Sequence, residues 1–315
     1  MTNREKYNFD YFTLDHYREI VQLAKDQGFQ FILHKDEFVP ERKDIIWRHD
    51  VEFSLDIALK MAVIEHGLGV KTTYFFQIHS EFYNILERYM SDILRDIQLL
   101  GHHIGLHFDS HYYDVQDEET LERTIRQDKK YFEAVFGLEL DTFSFHETTP
   151  FILSCQKDFY GDMLNVYSGK IKSNYQYCAD STGFWRYEIL DEVLLDPKVQ
   201  HLQVLTHDAM WSERVLSPRQ RVRSSIQANA DRVKAQYDDY SNKFGVHELY
   251  IMNQVSGTTT DIELDNKQKM VNDNITTLQA TLKEKEKTLE DMQEPVESAA
   301  LSTSAAIKSG IKYAV

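Results

Sequence analysis

The sequence predicts an α/β fold in which parallel strands alternate with helices and build a barrel-type sheet. Three observations point there. Between residues 45 and 207 lie six short apolar, β-branched and aromatic runs, the pattern of strands buried on both faces. Helical-period segments with glycine stops separate most of them. Each run ends in, or just before, a polar residue suited to catalysis, and in such barrels the C-terminal strand ends form the rim that carries the chemistry.

Taken in order, residues 15–27 place Tyr17, Ile20, Val21 and Ala24 at helical spacing before a stop at Gly28, so residues 1–44 read as a helical lead-in. The first strand, 45–50 (IIWRHD), ends in Arg48, His49 and Asp50. Ser54 is placed to cap a helix with Leu55, Ala58, Leu59, Ala62 and Val63 on one face, ended by Gly67 and Gly69. The run 70–77 (VKTTYFFQ) is followed by His79, and Ser80 opens a helical stretch to Leu100 and Gly101. Next come 103–107 (HIGLH), a charged helix near 118–136 stopped by Gly137, and 142–146 (TFSFH). Residues 147–174 read as irregular loops over the rim. The last strands are 175–180 (YQYCAD) and 202–207 (LQVLTH), followed by a polar surface helix over 217–241 with Pro218 at its start.

With 315 residues and 42% hydrophobic content, the chain can bury the core of a large α/β domain. Lys plus Arg total 35 against 51 Asp plus Glu, a formal net charge of -16, which argues against nucleic acid or an anionic membrane surface as a partner. The two cysteines, Cys155 and Cys178, make neither a disulfide framework nor a Cys-rich zinc pattern. The opening MTNREKYNFDYF lacks the apolar centre of a signal peptide, and no stretch approaches the ~20 apolar residues of a membrane span. A cytoplasmic protein with reduced thiols and no membrane insertion is expected. Composition changes after Val255, so the domains are expected at 1–255, the barrel, and 256–315, a linker and helical tail. In the tail, Val271, Ile275, Leu278, Leu282, Leu289 and Met292 follow a heptad-like spacing, with Lys285 in the stripe. That fits either a coiled coil joining copies into a homo-oligomer or an amphipathic helix lying on its own domain.

Several residues carry the chemistry. Asp50 and Glu52 lie on the same side of an extended segment, where one carboxylate can bind a metal and the other take a proton. His107 and His111 stand four apart, as do His103 and His107, a spacing that suits two metal ligands; Asp50 or Glu52 can complete the set. His207 can serve as a general acid, with Asp180 accepting a hydrogen bond from its ring and raising its pKa. Trp185 and Trp211 follow these two and can offer faces to a sugar ring. His79, and His146 before a turn-like ETTP, are further rim candidates.

At these residues the chain resembles the polysaccharide deacetylases of carbohydrate esterase family 4, especially cytoplasmic relatives tied to surface-glycan synthesis. The resemblance spans roughly residues 10–255, and its most specific piece is GHHIGLHFDSH at 101–111. It implies a distorted (β/α)7 barrel with a C-terminal helical tail, a divalent metal such as zinc, and removal of an acetyl group from an N-acetylated sugar or glycan precursor. By the same resemblance Glu52, His107 and His111 hold the metal, His103 is structural, Asp50 is the general base and His207 the general acid. Asp180 and Trp185 orient that acid and line the acetyl pocket. Two departures stand out. The family's metal-binding acid is an aspartate, whereas Glu52 is a methylene longer and leaves Asp50 as the alternative ligand. The family's third motif carries an arginine that tethers the base, whereas 143–147 reads FSFHE. Arg48 or Arg186 is the substitute, and His146 is placed to hold a ligand or the base. These departures keep open a non-catalytic sugar-binding or scaffolding role in glycan synthesis, or hydrolysis of another amide on the same scaffold.

Overall fold

The computed structural model describes residue 5 and residues 7–245, except 186. The boundary expected near 255, the linker and the heptad-like tail lie outside the described residues, as does Arg186. By backbone contacts the chain divides into one unit ending at Lys234 and another beginning at Ala235; apart from the end of the last helix, everything below concerns the first.

Nine strands form one mixed sheet: β1 (Gln30–Ile32), β2 (Asp44–Val51), β3 (Thr73–Phe76), β4 (His103–Asp109), β5 (Thr142–His146), β6 (Phe159–Tyr160), β7 (Met163–Asn165), β8 (Gln176–Ala179) and β9 (His201–His207). The helices are α1 (Leu14–Asp26), α2 (Leu55–Gly67), α3 (Arg88–Leu99), α4 (Glu118–Phe136), α5 (Pro150–Ser154), α6 (Gly169–Asn174), α7 (Leu190–Leu195) and α8 (Pro218–Lys243). The strand order is β6-β7-β5-β4-β3-β2-β9-β8, and every pair is parallel except the β6–β7 hairpin. The sheet is curled into a half-barrel rather than closed, which is how the expected distorted barrel is realised. Among the described residues, no helix is long and apolar enough to cross a membrane.

β2 is the hinge of this arrangement. β9 pairs with it along Asp44–Asp50, while β1 and β3 share its other side, β1 against Asp44–Ile46 and β3 against Arg48–Val51. All eight of its residues are buried. Side chains alternate across it: Trp47 packs outward with Tyr17, Ile20 and Val21 of α1, whereas Ile46 packs inward with Ile171 and Tyr175. His49 also faces outward, where Glu65 of α2 accepts hydrogen bonds from His49 Nε2 (2.8 Å) and from the hydroxyls of Tyr17 (2.5 Å), Tyr74 (2.6 Å) and Thr72 (2.9 Å). Burial opposes the Glu65 charge, yet His49 and these donors hold its pKa down at about 2.

One close approach across the sheet requires a glycine. Gly105 pairs in register with Phe75, and a Cβ at 105 would lie 2.3 Å from the Phe75 ring. That ring crosses into the half-barrel, edge-on to His34 (5.9 Å) and beneath the Arg48 guanidinium (5.9 Å).

Two stretches differ from the sequence expectation. The helix expected from Ser80 begins only at Arg88, because the Tyr83 hydroxyl donates to Val51 O and accepts from Gln77 N, both at 2.9 Å, holding 77–87 as a loop against the strand ends. Residues 147–174 are not irregular: they contain α5, the β6–β7 hairpin and α6, and β7 extends the sheet beside β5. In α2 the stripe is rotated, so that Val63 is exposed while Met61, Ile64 and Glu65 are buried.

Gly105→Ala is expected to destabilise the fold by about 1–3 kcal/mol, through overpacking against Phe75. Denaturant unfolding of Gly105→Ala, Phe75→Leu and the double variant checks this. The double variant should cost less than the two singles added together; strict additivity would show that the two positions do not meet.

Candidate active site

Polar side chains from β2, β4, β5 and β9 meet at the C-terminal ends of these strands, because the parallel registers set them side by side: Asp50 opposite His207, His107 opposite Ser144, Asp109 opposite His146. Glu52 follows directly on β2. Its backbone N–H donates to Asp208 Oδ1 at 2.7 Å, and the amides of Phe53 and Ser54 donate to the same carboxylate. Burial lifts Asp208 to about 7, against the pull of these amides.

Glu52, His107 and His146 form a cluster of three donor atoms. Glu52 Oε1 lies 3.2 Å from His107 Nε2 and 2.9 Å from His146 Nδ1, and the two nitrogens are 3.3 Å apart. A tetrahedral zinc with ligands at ~2.0–2.1 Å separates its donor atoms by about 3.3 Å, so the triangle has the size that such an ion needs. The tautomer of His107 fits as well. Ser144 Oγ donates its single proton to Asp50 Oδ1 (3.1 Å), so it meets His107 Nδ1 (2.7 Å) as an acceptor. His107 therefore carries its proton on Nδ1 and turns the Nε2 lone pair toward the cluster, the arrangement that second-shell partners impose on ligating histidines. Burial opposes the Glu52 charge, but the neighbouring His107 and His146 rings hold its pKa well below the usual carboxylate range. Burial likewise opposes protonation of His146, and Glu52 reverses this to a net rise.

His111 is placed differently from the expectation. Its Nε2 hydrogen-bonds the Glu147 carbonyl at 2.9 Å, and it stands outside the three-donor cluster, although it lines the same cleft. His103 lies at the opposite end of β4, paired with Asp141 at 2.8 Å, a structural position. Sequence reasoning set His146 among the rim residues; the structure puts it in the cluster.

Asp50 is buried beside the cluster, its Oδ2 3.6 Å from Arg48 Nη2 and 3.9 Å from His107 Nδ1. Arg48 is itself buried and donates to the Tyr167 hydroxyl at 3.0 Å, with its guanidinium 4.7 Å from that ring's centre. Burial opposes the Arg48 charge, but Asp50 and the Tyr167 oxygen raise its pKa further. Arg48 thus stands beside Asp50, and it does not line the open cleft.

His207 donates from Nδ1 to Asp180 Oδ1 at 2.6 Å, and its backbone N–H bonds the same carboxylate at 3.1 Å. The Trp211 indole N–H donates to Asp180 Oδ2 at 2.9 Å. Burial opposes the His207 cation, but Asp180, with Glu52 and Asp50 beyond it, pushes its pKa up to about 10. Trp211 and Trp185 do not offer faces to a sugar. Both are buried, packed on Phe12 at 5.2 and 5.6 Å, because they fill the gap between α1 and the sheet. His79 does line the cleft, a space of about 680 Å³ that also reaches Glu52 and His146.

Sequence reasoning missed Ser144, Tyr167, Asp208 and the Trp211 donor. Ser144 alone had a signal, standing two residues before His146 and so on the same strand face.

Neither a family model nor a curated protein matches the chain. Among solved structures the chain is similar to a family 4 carbohydrate esterase from Bacillus anthracis, with 15% identity, a TM-score of 0.35, and coverage of 66% of this chain and 85% of that one. It is also similar to the chitin deacetylase of the fungal pathogen Colletotrichum lindemuthianum (17%, 0.38, 63% and 86%). A third is a Streptococcus pyogenes deacetylase in complex with acetate (10%, 0.37, 68% and 86%). These likenesses are loose, and the chemistry is carried by this chain's own side chains.

In metal-free protein, the His207 imidazole should remain protonated at neutral pH, and in Asp180→Asn its pKa should fall well below the native value of about 10. Because the folded-state pKa is raised, this contribution to stability is complete below the unfolded-state value and fades as pH rises toward about 10. Histidine-selective NMR titration reads the shift, and identical titration curves would remove Asp180 as its cause.

Proposed function

We propose that the protein is a metal-dependent hydrolase that removes an N-acetyl group from an amino sugar or glycan precursor. The observation that carries this is the three-donor cluster standing beside a buried carboxylate, Asp50, and the hydrogen-bonded His207–Asp180 pair. Glu52, His107 and His146 would hold a divalent ion, zinc by the donor set, with His111 on the cleft wall as the alternative third ligand. When bound, the ion supplies Lewis acidity, polarising the amide carbonyl and making water a competent nucleophile at neutral pH.

The remaining chemistry belongs to the chain. Asp50 stands beside Arg48 and accepts from Ser144 through Oδ1, which leaves Oδ2 free of hydrogen bonds among the described residues to take the proton of the attacking water. His207, held protonated by Asp180, is the donor for the departing amine nitrogen. The C–N bond breaks, the nitrogen gains the His207 proton, and acetate and a free amine leave. Arg48 on Asp50 favours this hydrolytic reading over a purely binding role, since it supplies the tether whose absence from the third motif argued for inactivity.

Two measurements test the reading. Metal analysis should find about one divalent ion per chain, lost in His107→Ala and retained in His103→Ala; His146→Ala against His111→Ala identifies the third ligand. Ser144→Ala should weaken metal affinity about 10–100-fold. Equal metal loss in His103→Ala and His107→Ala would contradict the assignment.

Acetate release from N-acetylated amino sugars, with zinc or cobalt supplied, tests the reaction itself. Asp50→Asn and His207→Ala should each lower kcat by about 10²–10⁴ with metal content kept. Protein that binds no metal and stays inert on every N-acetylated sugar offered would end the hydrolase reading.

A further inference from the structure

The cleft beside the three-donor cluster is lined by a histidine that the reaction above does not use, His79. This imidazole is held on one edge and one face. Its Nε2 lies 3.0 Å from the Tyr113 hydroxyl and 3.5 Å from Asp128 Oδ1, and the Tyr113 hydroxyl donates to that same carboxylate oxygen. Asp128, on α4, is buried. The Tyr112 ring stacks flat on the imidazole, centroids 3.6 Å apart and planes 5° from parallel.

Counting protons fixes the tautomer. Tyr113 has one proton and gives it to Asp128, a charge-assisted bond stronger than one to a neutral ring. Its oxygen therefore meets His79 Nε2 as an acceptor, and Nε2 carries the ring proton. In the neutral imidazole Nδ1 is then a lone-pair acceptor. Among the described residues no protein group bonds Nδ1, while the ring as a whole lines the cleft. A buried carboxylate, a tyrosine and a stacked ring thus hold the imidazole, with one acceptor nitrogen unbonded, in the wall of a space that also reaches Glu52 and His146.

We propose that His79 is a specificity-determining residue whose Nδ1 accepts a hydrogen bond from a ring hydroxyl of the saccharide in the cleft. The acceptor favours a sugar that keeps that hydroxyl and disfavours one in which a hydrogen, ether or ketone replaces it. The substrate class rests on the deacetylase reading, but the contact is made on binding and can be measured without turnover.

The experiment titrates the full-length protein with an N-acetylglucosamine oligomer and its 3-, 4- and 6-deoxy analogues, by calorimetry or ligand-observed NMR. One analogue should bind the native protein about tenfold more weakly than the parent, the size of one neutral hydrogen bond. His79→Phe, which keeps the stack on Tyr112 but removes both nitrogens, should bind parent and analogue alike. His79→Asn, which returns an acceptor near the Nδ1 position, should restore part of the difference. Equal binding of the parent and all three analogues to the native protein would overturn the proposal, as would a penalty that survives in His79→Phe. Acetate release from the same oligomer separates the two readings. The hydroxyl pattern without acetate defeats the deacetylase and leaves His79 standing; acetate without the pattern does the reverse. No binding of any member overturns both.

Discussion

The register between β2 and β9 is the constraint from which the site follows. These strands pair over seven residues, from Asp44 opposite His201 to Asp50 opposite His207. Neighbouring strands stand about 4.8 Å apart, so this pairing alone brings the candidate base and acid to adjacent positions on one rim. Asp208 then continues β9 into a buried carboxylate that gathers the amides of Glu52, Phe53 and Ser54. The turn that leaves β2 is thereby tied to the turn that leaves β9, and Glu52 is held where His107 and His146 can meet it. A slip of one residue would send Asp50 to the outer face and His49 inward, and would part Glu52 from His107 and His146.

β2 accepts an unusual load to do this. A central parallel strand is ordinarily apolar on both faces, yet this one carries Arg48 and Asp50 inward and His49 outward. Buried charges persist only when they are paired and hydrogen-bonded. Arg48 meets Asp50 and Tyr167 inside, while His49 meets Glu65 and Thr206 outside, the latter at 2.8 Å. Removing one partner would leave a buried charge uncompensated, which costs more than the pair contributes. The outer network also joins β3 through Tyr74 and α1 through Tyr17 to the same carboxylate. The elements behind the rim are therefore fastened by polar contacts at the position where an apolar core would leave more freedom to slide.

The strands were legible in the sequence because strands buried on both faces read as uninterrupted apolar runs. TFSFH and LQVLTH could hardly be anything else, and their polar ends marked the rim. The short pieces were not legible. β1 has three residues, and the β6–β7 hairpin has two and three, too few to show a period. Glu65 was hidden for the opposite reason: α2 is apolar nearly all round, so its sequence did not specify which face turned inward, and a glutamate in such a helix reads as solvent-facing.

The histidines show where sequence spacing stops being informative. The interval from His107 to His111 suggests neighbours on a helical turn, but β4 is a strand as far as Asp109. In a strand four residues span about 13 Å, so His111 can approach His107 only if the chain folds back in the turn beyond. In this structure that turn gives the His111 ring to the Glu147 carbonyl instead. The near neighbours of His107 come from the adjacent strand, with Ser144 directly opposite and His146 two residues further along the same face. Which side chain stands beside which across two strands depends on register, a tertiary fact with no trace in the spacing along one of them. Ser144 and His146 therefore gain their chemical meaning only when β4 and β5 pair, and with that pairing the rim histidine of the sequence becomes a donor in the cluster.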